Sequence, residues 1–106
     1  MPSRKQWQLV NAVRERRNLK IRGTVQGVFF RETVRRIASL YEVTGFVRNI
    51  GFDAVEVEAE GEPAIVNAFI EKILAQPPRG ARIEDVRSTA IPPQDDEDFS
   101  VTPSIR

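Results

Sequence analysis

The chain has 106 residues, with 16 Lys plus Arg against 15 Asp plus Glu and a net charge of +1. That length fits one domain, and the charge gives no overall field to draw the protein to nucleic acid or an anionic membrane. It holds neither cysteine nor histidine, which excludes disulfides, thiolate nucleophiles, imidazole bases and the zinc sites built from those ligands. Any chemistry must run on Arg, Lys, Asn, Gln, carboxylates, hydroxyls and backbone N–H groups.

Residues 1–18, "MPSRKQWQLVNAVRERRN", are rich in basic and amide groups, with Trp7, Val10 and Arg14 at helical spacing. They are expected to form an N-terminal extension, either a short amphipathic helix or a frayed segment. There is no apolar leader core, and no run approaches the roughly 18 apolar residues of a membrane span. A soluble cytoplasmic protein is therefore expected, with the folded domain running from residue 19 to residue 106.

Leu19, Ile21 and Val25 alternate with polar residues as a strand does. From Arg31 the period changes: Val34, Ile37, Ala38 and Tyr41 repeat at i, i+3, i+4 and i+7, which predicts a helix over 31–42 with one buried stripe. The glycine-punctuated stretch Gly23-Thr24-Val25-Gln26-Gly27 lies at the switch, between a strand end and a helix start. Phe46 to Asn49 reads as a second strand, 50–53 as a turn, and "AVEVEAEG" as the return arm of a hairpin. In that arm Val55, Val57 and Ala59 alternate with Glu56, Glu58 and Glu60, and the glutamates are assigned to the solvent-facing or edge side rather than to a metal.

Glu62-Pro63 opens a second helix over 63–75, whose stripe is Val66, Phe69, Ile70, Ile73 and Leu74, and Gln76-Pro77-Pro78-Arg79-Gly80 stops it. Residues 81–90 place Ile83 and Val86 off any clean period and are expected to hold a strand plus an irregular stretch. The acidic run Asp95–Asp98 lacks the glycine and distal glutamate of a calcium loop and reads as a solvated loop. Phe99 and Val101 can supply a short fifth strand. The order strand, helix, strand, strand, helix, strand predicts an α+β fold: a ferredoxin-like α/β sandwich, βαββαβ, with both helices on one face of an antiparallel sheet.

A loop that turns directly into a helix leaves N–H groups without intrahelical partners, which suits phosphate or carboxylate. Gly23 and Gly27 allow positive φ or close approach, and Arg31 adds a planar fork for two oxygens. A tight turn followed by a surface arginine fits the same residues, and the pattern leaves both readings open. Asn49, at a strand end, is either a turn residue or a ligand-facing amide.

"GTVQGVFFR" followed, after seventeen residues, by the asparagine of "GFVRN" resembles the paired signature of the acylphosphatase family, small ferredoxin-like hydrolases of the carboxyl-phosphate bond. The resemblance covers about residues 19–102. It implies that Arg31 binds the phosphate, that Asn49 orients the attacking water, and that the backbone of Val25, Gln26, Gly27, Val28, Phe29 and Phe30 cradles the phosphate. It further implies a small-molecule acyl phosphate as substrate, phosphate or sulfate as stand-in ligands, and no cofactor. The missing His and Cys and the cation at Arg31 point to metal independence, and a monomer with neither a nucleic-acid nor a membrane partner is expected. The family's Asp-Gly turn after the asparagine is replaced here by Phe52-Asp53, which is expected to bend the hairpin differently beside the site. "PPRGARIEDV" also resembles the N-terminal acylphosphatase-like domain of the hydrogenase-maturation carbamoyltransferase. The chain is then either a stand-alone enzyme or a domain cut from such a protein, and the alternative function is a non-catalytic ligand-binding or regulatory domain. An RNA-binding sheet face is disfavoured by the glutamates of the third strand.

Overall fold

The computed structural model describes residues 14–106. Strand β1 (Glu15–Thr24) leads through a short loop into helix α1 (Phe30–Ala38). Strands β2 (Thr44–Ile50) and β3 (Ala54–Gly61) form a hairpin, followed by helix α2 (Pro63–Ala75), strand β4 (Arg82–Ile91) and strand β5 (Phe99–Val101). One sheet has the order β4-β1-β3-β2-β5, antiparallel throughout except where β5 joins β2 in parallel. This is the ferredoxin-like sandwich expected from the two helical stripes and the alternating strands, with the fifth strand present. Among the described residues no helix is long and apolar enough to cross a membrane.

The helices share one face of the sheet because every apolar stripe needs the same partner. Leu19, Ile21, Val47, Val55, Val57 and Ala59 point to that face, and Val34, Ile37, Val66, Phe69 and Ile73 close on them in one buried cluster. Each fully buried Val, Ile or Phe contributes about 1.5–3 kcal/mol relative to exposure. Phe69 sits between Tyr41 and Phe99, edge to face with both, at centroid distances of 6.0 and 5.7 Å. Helix α1 ends at Ala38, four residues short of the expected end. The following turn tightens to i→i+3 bonds, Leu40 N–H to Ile37 and Tyr41 N–H to Ala38, which keeps Tyr41 in helical register without a helix.

Two further differences have local causes. Of the N-terminal extension expected over 1–18, residues 1–13, where most of the expected helix falls, lie outside the described residues, while Glu15–Asn18 belong to β1. Residues 82–91 are one continuous strand. A bulge at Glu84, where Arg22 pairs Asp85 but Gly23 pairs Ile83, sets Ile83 and Val86 on the same side although they are three apart. Gly23 permits this crossing: a Cβ there would lie 2.1 Å from the Arg82 carbonyl oxygen.

The glutamate row is the main correction, for it is not solvent-facing. β3 is the central strand, so its second face is covered by the side chains of β1 and β2 and by the 92–98 loop. Glu60 is 0% and Arg16 1% exposed. Arg16 donates to Glu58 (2.8 Å), Glu60 (3.2 Å) and Asp96 (3.0 Å), and the N–H groups of Gln94 and Asp95 donate to Glu60 at 2.7 and 3.1 Å. Asn18 bridges Glu56 and Glu58, and Arg48 pairs with Glu56 while lying 5.0 Å from the Phe46 ring centroid. The 95–98 run, expected as a solvated loop, is thus tied to the sheet through Asp96. Burial alone would raise the Glu60 carboxyl, but the Gln94 N–H, the Arg16 guanidinium, the Asp95 N–H and Arg14 together hold it below its ordinary value.

Candidate active site

The loop between β1 and α1 curls because its backbone turns left-handed twice, at Gly27 (φ 76°) and at Phe29 (φ 60°). At Gly27 an added Cβ would meet nothing within 4 Å, so the sign of φ, rather than space, favours glycine there. From Val25 to Phe29 no backbone N–H donates to a backbone carbonyl among the described residues. The N–H groups of Phe30, Arg31 and Glu32 open α1, where no intrahelical acceptor exists, and Phe29 supplies no side-chain cap. A row of unpaired amides at the positive end of a nine-residue helix is suited to an anion.

The loop is laced to the hairpin beside it. Gln26 Nε2 donates to the carbonyls of Ala54 (2.8 Å), Ile50 (3.2 Å) and Gly51 (3.2 Å), and Gly23 N–H donates to Asp53 (2.9 Å). The hairpin's three-residue turn is made by Gly51, Phe52 and Asp53, with left-handed backbone at Gly51 (φ 59°). Asn49 immediately precedes the carbonyls that Gln26 grips. Its own carbonyl accepts from Ile105 N–H (3.0 Å), and it pairs with Val55 across the ladder. The alternation of β2 turns its side chain to the helix face of the sheet, beside the loop and the start of α1.

Arg31 and Asn49 consequently line one cleft of about 480 Å³, together with Gln26, Gly27, Phe29 and Val101. Val25 and Phe30 reach its wall from the core, in which both are buried. Val28, the remaining residue of the predicted cradle, does not line the cleft; its side chain packs against the core. Among the described residues Arg31 has no carboxylate partner and makes no side-chain hydrogen bond, whereas Arg35, one turn on, is held by Glu32. That contact with Arg35, before all else, holds the Glu32 carboxyl below its ordinary value, so Glu32 remains an ionised residue of the first turn and a weak proton acceptor.

Asn49 Oδ1 is buried and meets no donor among the described residues. The hydroxyls of Thr44 and Thr102 are buried without partners too, but neither lines the cleft. A buried acceptor without a partner is costly to a fold and marks a place where a ligand or water is bound. Three features of the cleft were missed in the sequence. Val101 arrives from the far end of the chain through the parallel β5 pairing, for which no local signal exists. Gln26 acts through its side chain as a clamp. The Phe29 ring faces outward although flanking residues of the same apolar character, Val28 and Phe30, pack inward.

A ferredoxin-like sandwich with an amide cradle, an unpaired guanidinium and an unpaired buried amide oxygen around one cleft defines a small anion-binding enzyme of the phosphoryl-transfer kind. The chain belongs to the acylphosphatase family, whose profile, described as Acylphosphatase, matches residues 17–101. It is 40% identical over 79 residues to an acylphosphatase of Yersinia pseudotuberculosis, an alignment covering 74% of this chain and 86% of that one. The solved structure of an acylphosphatase from Coxiella burnetii superposes with a TM-score of 0.80 at 33% identity, covering 87% of this chain and 96% of its own. Full-length HypF, solved in a phosphate- and nucleotide-bound form, gives a TM-score of 0.83 at 33% identity, but the match spans only 12% of that protein. The chain is accordingly a hydrolase of the acylphosphatase type.

Proposed function

We propose that the cleft hydrolyses small acyl phosphates to carboxylate and inorganic phosphate without a metal, with Arg31 and the 25–30 backbone holding the phosphoryl group and Asn49 orienting the attacking water. The observation that carries this reading is the pairing, in one cleft, of a guanidinium with no carboxylate partner among the described residues and a buried amide oxygen with no donor among them. Arg31 supplies a bidentate fork for two phosphoryl oxygens, and the N–H groups of the loop and of the first turn of α1 take the others. Oδ1 of Asn49 accepts a hydrogen from water and directs its lone pair at phosphorus.

The bond from water oxygen to phosphorus forms as the bond from phosphorus to acyl oxygen breaks, and that electron pair leaves on the carboxylate. The conjugate acid of a carboxylate has a pKa of about 4, so the leaving group needs no general acid. The water proton passes to a phosphoryl oxygen. Catalysis then consists of positioning and charge stabilisation, which fits a chain without histidine or cysteine. A cytoplasmic monomer acting on a diffusible substrate, with no nucleic acid or membrane partner, completes the proposal.

The test is hydrolysis of benzoyl phosphate by the purified protein in excess chelator. The expected result is equal release of benzoate and phosphate, with competitive inhibition by inorganic phosphate and no effect of chelation. No turnover above buffer, or activity lost on chelation and restored by magnesium, would overturn the proposal.

A further inference from the structure

The face of the sheet turned away from the helices carries a second cavity, of about 540 Å³, which is on the scale of a small-molecule site. It shares no lining residue with the hydrolytic cleft. The strand register sets Arg87 of β4, Lys20 of β1, Glu56 of β3 and Arg48 of β2 in one row across it. Arg48 and Glu56 neutralise each other at 2.7 Å, and Asn18 gives that carboxylate a further donor at 2.8 Å. Lys20, directly opposite Glu56, is left with no carboxylate partner among the described residues. It also faces Arg87 across the β1–β4 pairing, where like charges repel. Arg87 and Arg22 reach Asp85 and Asp53 at 3.5 Å, longer than the roughly 2.7–2.9 Å of a charge-assisted hydrogen bond. Three cations on β1 and β4 thus stand together with little of their charge met by the protein.

The other half of the cavity is apolar. In the next row Ala54 lies between Arg22 and Ile50, and its single methyl leaves a shallow floor that Ile50 and Ile105 extend. We propose that this groove binds a nucleoside diphosphate, with the diphosphate on Lys20, Arg22 and Arg87 and the base on Ile50, Ala54 and Ile105. A diphosphate can engage all three cations at once, relieving the repulsion between Lys20 and Arg87. A flat base buries the aliphatic floor, which an inorganic anion would leave bare. The positive charge ends with these two rows, because the next row on β1 and β3 is Asn18 and Glu58. A short ligand charged at one end therefore fits better than a long polyanion.

The experiment is isothermal titration calorimetry on the full chain, with ADP, adenosine, pyrophosphate and an oligo-aspartate peptide as probes. ADP is expected to bind at least about tenfold more tightly than any of the other three. Lys20→Gln and Arg87→Gln, both at exposed side chains, should each weaken ADP binding about tenfold, the scale of one charge-assisted bond. Ile105→Ser should weaken ADP but not pyrophosphate, and Arg31→Ala should leave ADP affinity unchanged. No binding of ADP at millimolar concentration overturns the inference. So does ADP binding that is lost in Arg31→Ala and kept in Lys20→Gln and Arg87→Gln, which would put the ligand in the hydrolytic cleft. Pyrophosphate binding as tightly as ADP, or the peptide binding more tightly, would likewise overturn it. Each of these outcomes leaves the hydrolase reading intact.

Discussion

Replacing Asn49 with alanine should separate catalysis from stability in a way that few substitutions do. Oδ1 meets no donor among the described residues and lines the cleft, where water can satisfy it. Deleting the amide therefore costs chiefly the van der Waals contacts of a half-buried side chain. The net change should lie within about 1 kcal/mol of zero, a shift of no more than about 4–8 °C in Tm for a domain of this size. If the amide orients the attacking water, its loss is felt once attack begins and should lower kcat by about 10² to 10³, or roughly 2.7–4 kcal/mol. Benzoyl phosphate turnover, the inhibition constant of inorganic phosphate and thermal unfolding should be measured on the same preparation. The expected pattern is low kcat, near-normal phosphate inhibition and near-normal Tm. Near-normal turnover, or a large fall in Tm with activity lost only in proportion to the unfolded fraction, would reduce Asn49 to a support of the hairpin.

Arg31→Ala should weaken inhibition by inorganic phosphate about 10- to 100-fold, the scale of a charge-assisted bond worth roughly 1.5–3 kcal/mol, and lower kcat as well; Arg31→Lys should recover little because it lacks the fork. Unchanged phosphate affinity in a folded Arg31→Ala protein contradicts the assignment. Glu60, held below the ordinary value of 4.5, contributes stability that is present above that value and is lost as pH falls through its lower folded value. Glu60→Gln should therefore cost about 3 kcal/mol near neutral pH, the low end for breaking a buried pair because Arg16 keeps Glu58 and Asp96, and should flatten the loss of stability below pH 4.5. Urea midpoints across that range check both effects, and an acid limb as steep in the variant as in the wild type would contradict a lowered Glu60 pKa.

The parts of the fold that could be read from the chain are those where period and punctuation agree. The second helix falls at 63–75 because Pro63 opens it and Pro77 and Pro78 forbid its continuation. The loop before Arg31 is legible because period 2 gives way to period 3.6 across two glycines. Long-range facts left no such mark. Alternation divides β3 into two faces but does not tell what lies over the second, so the burial of Glu56 and Glu60 beneath Arg16, Asn18 and Arg48 was hidden. Arg16 itself sits in a stretch whose composition reads as a basic tail. Ile83 and Val86 share a face only because Glu84 bulges, and a bulge is set by the partner strand as much as by its own. The site followed the same division: Arg31 and Asn49 stand in recognisable local patterns, while Val101 reaches the cleft through a parallel pairing with a strand more than fifty residues earlier.

The most direct measurement is a hydrolysis of benzoyl phosphate in water enriched in ¹⁸O, with the label traced in both products by mass spectrometry. Attack on phosphorus by a water held at Asn49, with the phosphoryl group on Arg31 and the loop amides, places one ¹⁸O in each inorganic phosphate formed by the enzyme and none in the benzoate. Label in the benzoate would mean that water attacks the acyl carbon, and the cleft would then have to be read as a carbonyl site rather than a phosphoryl one.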